Sequence, residues 1–206
     1  LTVSGITAGN KTYNASNVAT LSTGSAAFVG VESGDSVTIG VGSATGTFSD
    51  KNVGTGKTVT ISGVTKSGTD AGNYVITQPS TTANITAKGL TVTGITASNR
   101  VYDASTSATA LLDKTAAALS GVESGDTVTI GVGSVTGTFA DKNVGSGKTV
   151  TIAGVTKSGT DAGNYSITQP TATANITAKG LTVTGITASN RVYDATTNAT
   201  ALLDKT

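Results

Sequence analysis

Lys57-Thr58-Val59-Thr60-Ile61-Ser62 alternates apolar and hydroxyl or charged side chains with a period of two, the pattern of a strand that buries one face and wets the other. Val59 and Ile61 are expected to point into a core, and Thr58 and Thr60 into solvent. Runs of the same kind lie on either side: Leu1 to Thr7, Ser36 to Val41, Ala44 to Phe48, Asn73 to Thr77 and Thr82 to Thr86, with further strands around Thr12 to Ala15 and Ala26 to Val31. Gly, Asn and Asp separate them, since Gly supplies positive φ and Asx side chains bond their own backbone at turns. About seven or eight short strands, with turn signals every 8 to 12 residues or so, predict an all-β sandwich. Thr109 to Leu119, carrying Leu111, Leu112 and Leu119, predicts instead a short helical turn before Gly121.

The pattern recurs. Leu1-Thr-Val-Ser-Gly-Ile-Thr7 returns as Leu90-Thr-Val-Thr-Gly-Ile-Thr96 and again as Leu181-Thr-Val-Thr-Gly-Ile-Thr187. Val31 to Gly89 returns as Val122 to Gly180 with eight substitutions, all among Ser, Thr, Ala and Val. The period is 91 residues, shortened to 89 in the first copy around Leu21 to Ala27, as a surface connection tolerates. It exceeds the roughly 20 to 45 residues of one solenoid coil, so each copy is expected to be a domain. The chain of 206 residues then divides into modules 1–89 and 90–180 and the opening strands of a third, 181–206. The connection Ala83-Asn-Ile-Thr-Ala-Lys-Gly-Leu-Thr-Val92 is neither a Gly/Ser tether nor a Pro-rich spacer, so modules are expected end to end with little bending, packed tightly or sharing strands across Lys88 to Leu90 and Lys179 to Leu181. An isolated third-module hairpin is marginal in water, which makes strand addition to a neighbour its expected alternative.

Composition narrows the function. Cys, Met, Trp and His are absent, aromatics are 4% and Gly is 27 residues. Cores must therefore be thin, anchored in the first copy by Tyr13, Phe28, Phe48 and Tyr74. A formal net charge of +1 with 12% charged residues gives no electrostatic drive for nucleic acid or for a membrane surface. Without His or Cys there is no His-dependent triad and no thiol nucleophile, so no enzyme is expected. No apolar run approaches the roughly 18 residues that span a bilayer, and no targeting segment is read within the chain.

The carboxylates recur in register. Asp35, Asp50 and Asp70 are matched by Asp126, Asp141 and Asp161, and Glu32 by Glu123. Ca²⁺ takes such oxygen ligands, which makes the six Asp residues weak candidates for an ion held between loops. Asp beside Gly or Asn also builds turns without any metal, and with no dense Asp-x-Asp run that reading is the stronger one, leaving no cofactor expected. A Lys–Asn isopeptide cross-link among Lys51, Lys57, Lys66, Asn52 and Asn73 would need deep burial that Lys rarely has. Asn-x-Ser/Thr sequons stand at Asn10, Asn14, Asn84, Asn164, Asn175 and Asn198. Thr58/Thr60 and Thr149/Thr151 read as ordinary outward Thr of amphipathic strands.

Val101-Tyr-Asp-Ala-Ser105, Val192-Tyr-Asp-Ala-Thr196, Gly125-Asp126, Phe139-Ala-Asp-Lys-Asn-Val-Gly145 and Asp161-Ala-Gly-Asn-Tyr165, in this order, resemble the YDG repeat. With the related MBG ("mostly bacterial Ig-like") repeats it occurs in haemagglutinin-like surface adhesins of Gram-negative bacteria. The resemblance covers essentially the whole chain. The Gly of Tyr-Asp-Gly is Ala104 or Ala195 here, and Asn14 replaces Asp in the first copy. The resemblance implies tandem Ig-like modules of an extracellular, cell-surface repeat protein, with no known ligand for the repeat. Near-identical copies, short junctions and low charge then lead to a structural stalk or fibre segment whose partners are neighbouring repeats or copies of itself. The alternative is an adhesive module for host glycan or matrix, or a Ca-stiffened biofilm matrix protein. Any host or matrix ligand would be bound through other regions.

Overall fold

The computed structural model describes residues 1–203; Asp204, Lys205 and Thr206, the end of the expected third module, lie outside the described residues. The fold is all-β. Among the described residues there is no α-helix, and three 3₁₀ turns, Ala71–Asn73, Thr109–Leu111 and Ala162–Asn164, interrupt short strands. The second of these is the helical turn expected near Thr109, but it ends at Leu111 and gives way to strands at Leu112–Asp113 and Ala118–Ser120.

In the first copy the strands are β1 (Thr2–Ser4), β2 (Thr7–Ala8), β3 (Lys11–Thr12), β4 (Val18–Ala19), β5 (Leu21–Ser22), β6 (Ala27–Val29), β7 (Thr38–Gly40), β8 (Thr45–Phe48), β9 (Gly54–Ser62), β10 (Thr65–Ser67) and β11 (Ser80–Thr86). The principal sheet has the order β3-β11-β9-β8-β4, antiparallel except where β3 lies parallel to β11. Its register sets Val59 opposite Phe48 and Thr60 opposite Thr47. Val59 and Ile61 are completely buried while Thr58 and Thr60 are exposed, as the alternation required. Two-stranded pairs β1-β6, β2-β5 and β10-β7 surround this sheet. The second copy repeats it, with Arg100–Val101, Thr171–Thr177, Gly145–Ala153 and Thr136–Phe139 in that order. Asn73 to Thr77 forms no strand and contributes a single bridge, Thr2 to Thr77, whereas Tyr165–Ile167 pairs parallel with Lys88–Leu90 in the second copy.

Gly94, within the repeated Thr-Val-Thr-Gly-Ile block, has φ 77°, and a Cβ there would collide with the Ala116 carbonyl. That left-handed turn lets Val92 and Ile95 both face the core, at 7% and 8% exposure.

The apolar residues gather in four clusters. Ile6, Ile61 and Val64 fill the near end of the first copy, with Phe28 half-buried against them. Val92, Ile95, Val135, Ile152 and Val155 do the same in the second copy. At the far end of the second copy Phe139, Val150, Ala174, Ile176 and Ala108 pack together. The corresponding far end of the first copy, Phe48, Val59, Ala83, Ile85, Ala19 and Tyr13, does not stop at the copy boundary, because Leu90 and Tyr165 of the second copy complete its core. Leu119, Val122, Val128 and Ile167 pack against it from the same side. β11 ends at Thr86 and the next strand starts at Lys88, leaving one residue between them. Packing across this junction is tight, but among the described residues no strand of one copy pairs with a strand of the other.

Residues beyond Thr177 make no such core. Ile186–Ala188 and Ala201–Leu203 form a hairpin, while Leu181 is 91% exposed and Tyr193 90%. Strand addition to the preceding module, expected as one outcome for this segment, is not observed among the described residues.

Candidate functional site

The junction is where the polar side chains converge. β3 ends at Thr12 and carries Tyr13 off the sheet edge, and the Asp50-Lys51-Asn52-Val53 turn between β8 and β9 lies beside it. An Asx bond from the Asn52 N–H to Asp50 Oδ1, 2.7 Å, holds this turn, and Lys57 closes it with an ion pair to Asp50 at 2.7 Å. From the second copy come two loops, Val122 to Asp126 and Asp161 to Tyr165. The Asp161 carboxylate accepts the Thr127 N–H at 2.9 Å, tying the two loops together.

Asp126 is the centre. Its Oδ2 accepts the hydroxyl protons of Tyr13, at 2.7 Å, and of Tyr165, at 2.6 Å. Its Oδ1 accepts from the Lys51 ammonium at 2.9 Å, and Asp161 stands 3.6 Å from the same nitrogen. The Asp126 side chain is 1% exposed. Burial alone pushes its carboxyl up, but the hydroxyls of Tyr165 and Tyr13 and the Lys51 ammonium outweigh it and hold the carboxyl below its ordinary range. The bond to Asp126, with Tyr13 beside it, raises Lys51 in turn. Burial and then the Asp126 bond push Tyr165 up to about 12 and also raise Tyr13. The two rings meet edge to face with centroids 5.3 Å apart.

A second contact is made by Asn164, 5% exposed. Its Oδ1 accepts the Val53 N–H at 2.9 Å and its Nδ2 donates to Asn52 Oδ1 at 3.1 Å. A 2.6 Å ion pair from Lys88 to Glu123, whose own N–H donates to the Tyr165 hydroxyl, ties the connecting residue to the second copy.

The six candidate carboxylates therefore play three parts. Asp50 and Asp141 close Asx turns with Lys57 and Lys148. Asp70 and Asp161 brace neighbouring loops through the Ser36 and Thr127 N–H groups. Asp35 and Asp126 accept tyrosine hydroxyls, which turn chemistry did not foresee. Lys51 brings Asp126 and Asp161 together, yet among the described residues no group of three such ligands is arranged to hold a metal ion. Lys51 and Lys57 are held as charged partners of carboxylates, and Lys66 donates to the Ala71 carbonyl. Tyr13 was expected to anchor its own module, and its burial comes largely from the next one. Tyr13, Tyr165, Asn52 and Asn164 had a signal in the sequence, since each lies in a motif that recurs in register. Among the described residues no helix is long and apolar enough to cross a membrane.

The naming motif has a backbone explanation. Ala15, Ala104 and Ala195, which stand where the YDG motif has Gly, have φ of 59°, 64° and 59°. Asp103 supports the turn by accepting the Ser105 N–H at 3.0 Å, and Asn14 does the same for Ser16. No curated protein and no solved structure matches the chain. A family model described as the YDG domain matches residues 1–83 and again 86–174. The chain belongs to the YDG domain family and carries two copies of that domain in tandem.

Proposed function

We propose that this chain is a segment of a structural stalk or fibre of a secreted bacterial surface adhesin, built of tandem Ig-like sandwich modules and lying outside the cell. The observation that carries the reading is the continuous core across the junction, in which Leu90 and Tyr165 bury the end of the first copy and Asp126 gathers Tyr13, Tyr165 and Lys51. One residue between strands and three side-chain links across the boundary resist bending, which is the property a stalk needs and a ligand pocket does not. The repeat itself supplies length and stiffness, acts without a catalytic centre or cofactor, and leaves contact with host or matrix to other regions of the protein.

Small-angle scattering tests the mechanical part. The first two modules should scatter as one stiff elongated body, and Asp126→Ala should broaden the distribution of shapes. Two freely jointed bodies in the wild-type chain would refute the stalk reading. Antibody labelling of intact source cells tests location, and staining only after lysis would refute surface display.

A further inference from the structure

The two ends of the pair of modules are the two halves of the junction, each without its partner. At the far end of the second copy, Tyr102 is half-buried where Tyr13 is 1% exposed, Val144 is 56% exposed where Val53 is 37%, and Lys142 and Asn143 are exposed. A cleft of about 380 Å³ opens there, lined by Tyr102, Asn143, Val144, Ala178, Lys179 and Leu181. Each of these corresponds by the repeat to a residue at or beside the filled junction. At the near end of the first copy, Asp35 accepts the Tyr74 hydroxyl at 2.6 Å, as Asp126 accepts Tyr165. Its Oδ1 has no counterpart of Lys51 recorded against it, and Asn73, the counterpart of the buried Asn164, is exposed.

We propose that the Tyr102 face is a docking site for the near end of a second copy of this chain, head to tail, with Asp35 taking Tyr102 and Lys142 and with Asn73 taking Asn143 and the Val144 N–H. Three observations carry it. The surfaces continue an interface already present in the molecule. Their sequences are unchanged from it, since Val31 to Asp35 and Asp70 to Tyr74 repeat in Val122 to Asp126 and Asp161 to Tyr165, and Asp50 to Gly54 repeats in Asp141 to Gly145. Their charges are complementary, with Lys142 on one face and Asp35 and Asp70 on the other. Leu181, 91% exposed, lines the cleft with little packing for an arriving copy to displace. Such a contact is heterologous and does not close on itself, so it generates linear chains of copies. It extends the stalk reading from one chain to several but rests on the junction geometry and not on cell-surface display.

Sedimentation of the 206-residue chain across a concentration series tests it. The wild-type chain should grow from the 20.0 kDa monomer into a ladder of species. Asp35→Ala and Tyr102→Ala should each weaken association at least about tenfold, the effect of losing one buried polar or aromatic anchor. Mixed in equal amounts these two variants should form a one-to-one dimer that grows no further, because each supplies the face the other lacks. Lys142→Asp, changed at an exposed position, gives a second socket variant whose folding is not in question. A wild-type chain that stays monomeric at millimolar concentration, or a ladder that survives both Asp35→Ala and Lys142→Asp, would overturn the proposal. A stiff monomer by scattering would then leave the stalk reading standing, while loss of stiffness in the monomer would count against the stalk and not against docking.

Discussion

Tyr13 and Tyr165, from different copies of the repeat, donate their hydroxyl protons to the same carboxylate oxygen of Asp126, at 2.7 and 2.6 Å. Their rings stand at 75° to each other. One carboxylate, with Lys51 on its other oxygen, thus joins two modules whose strands do not pair. The energetic consequence follows from its burial. Removing Asp126 leaves two buried hydroxyls without an acceptor and an ammonium without its partner.

Asp126→Ala should therefore destabilise the junction by about 3 kcal/mol, whereas Asp35→Ala, the same residue of the repeat at the unpartnered end, should cost about 1 kcal/mol or less. Calorimetry of dilute protein checks this. The wild type should unfold in one coupled transition, and Asp126→Ala in two, as nearest-neighbour coupling in a repeat array predicts.

The junction should have a pH window. The Asp126 carboxyl is lowered in the folded chain, so its contribution is present above the unfolded value of about 3.9 and is lost as pH falls through the folded value. Tyr165 is raised to about 12, so its contribution is present below roughly pH 10 and is lost as pH rises toward 12. Thermal melts at stepped pH should show the wild type weakening at both ends, with Asp126→Asn flattening the acid limb.

Ala104 adopts a left-handed conformation that L side chains with a Cβ enter at a cost. Ala104→Gly should stabilise the second module by about 1 kcal/mol, the strain removed outweighing the added freedom of the unfolded chain. Denaturant titration should show a higher midpoint at an unchanged slope; an equal or lower midpoint would mean that the Asp103 and Arg100 bonds around the turn already absorb the strain.

The sequons should not be equivalent. Both polar atoms of the Asn164 carboxamide are engaged across the junction, and the residue is 5% exposed. Asn198 is exposed. In a host that glycosylates Asn-x-Ser/Thr, peptide mass spectrometry should find Asn198 occupied and Asn164 bare, and Asp126→Ala should raise occupancy at Asn164 if modification follows folding.

Strand faces such as Val59 and Ile61 against Thr58 and Thr60 were legible in the chain because a period of two is a local property. Less legible were the shortest elements, β4, β5 and β10, whose two or three residues are too few to display a period. Asn73 to Thr77 and Tyr165 to Ile167 differ at Val75 and Ser166 and pair differently, a difference no propensity announces. Of the junction, Asp126 was marked only as one of six recurring carboxylates, since its partners lie in the other copy.

The sequence by itself determined an all-β chain, its repeat and its want of thiol or imidazole chemistry, for these reside in composition, alternation and self-similarity. Only the tertiary structure decided that Tyr13, Lys51, Asn52 and Val53 of one copy meet Asp126, Asn164 and Tyr165 of the next. Both copies carry these residues, and identical sequence cannot say which copy's tyrosine reaches which copy's carboxylate. That choice is made by stacking, which buries Tyr13 to 1% exposure and leaves its counterpart Tyr102 beside an open cleft.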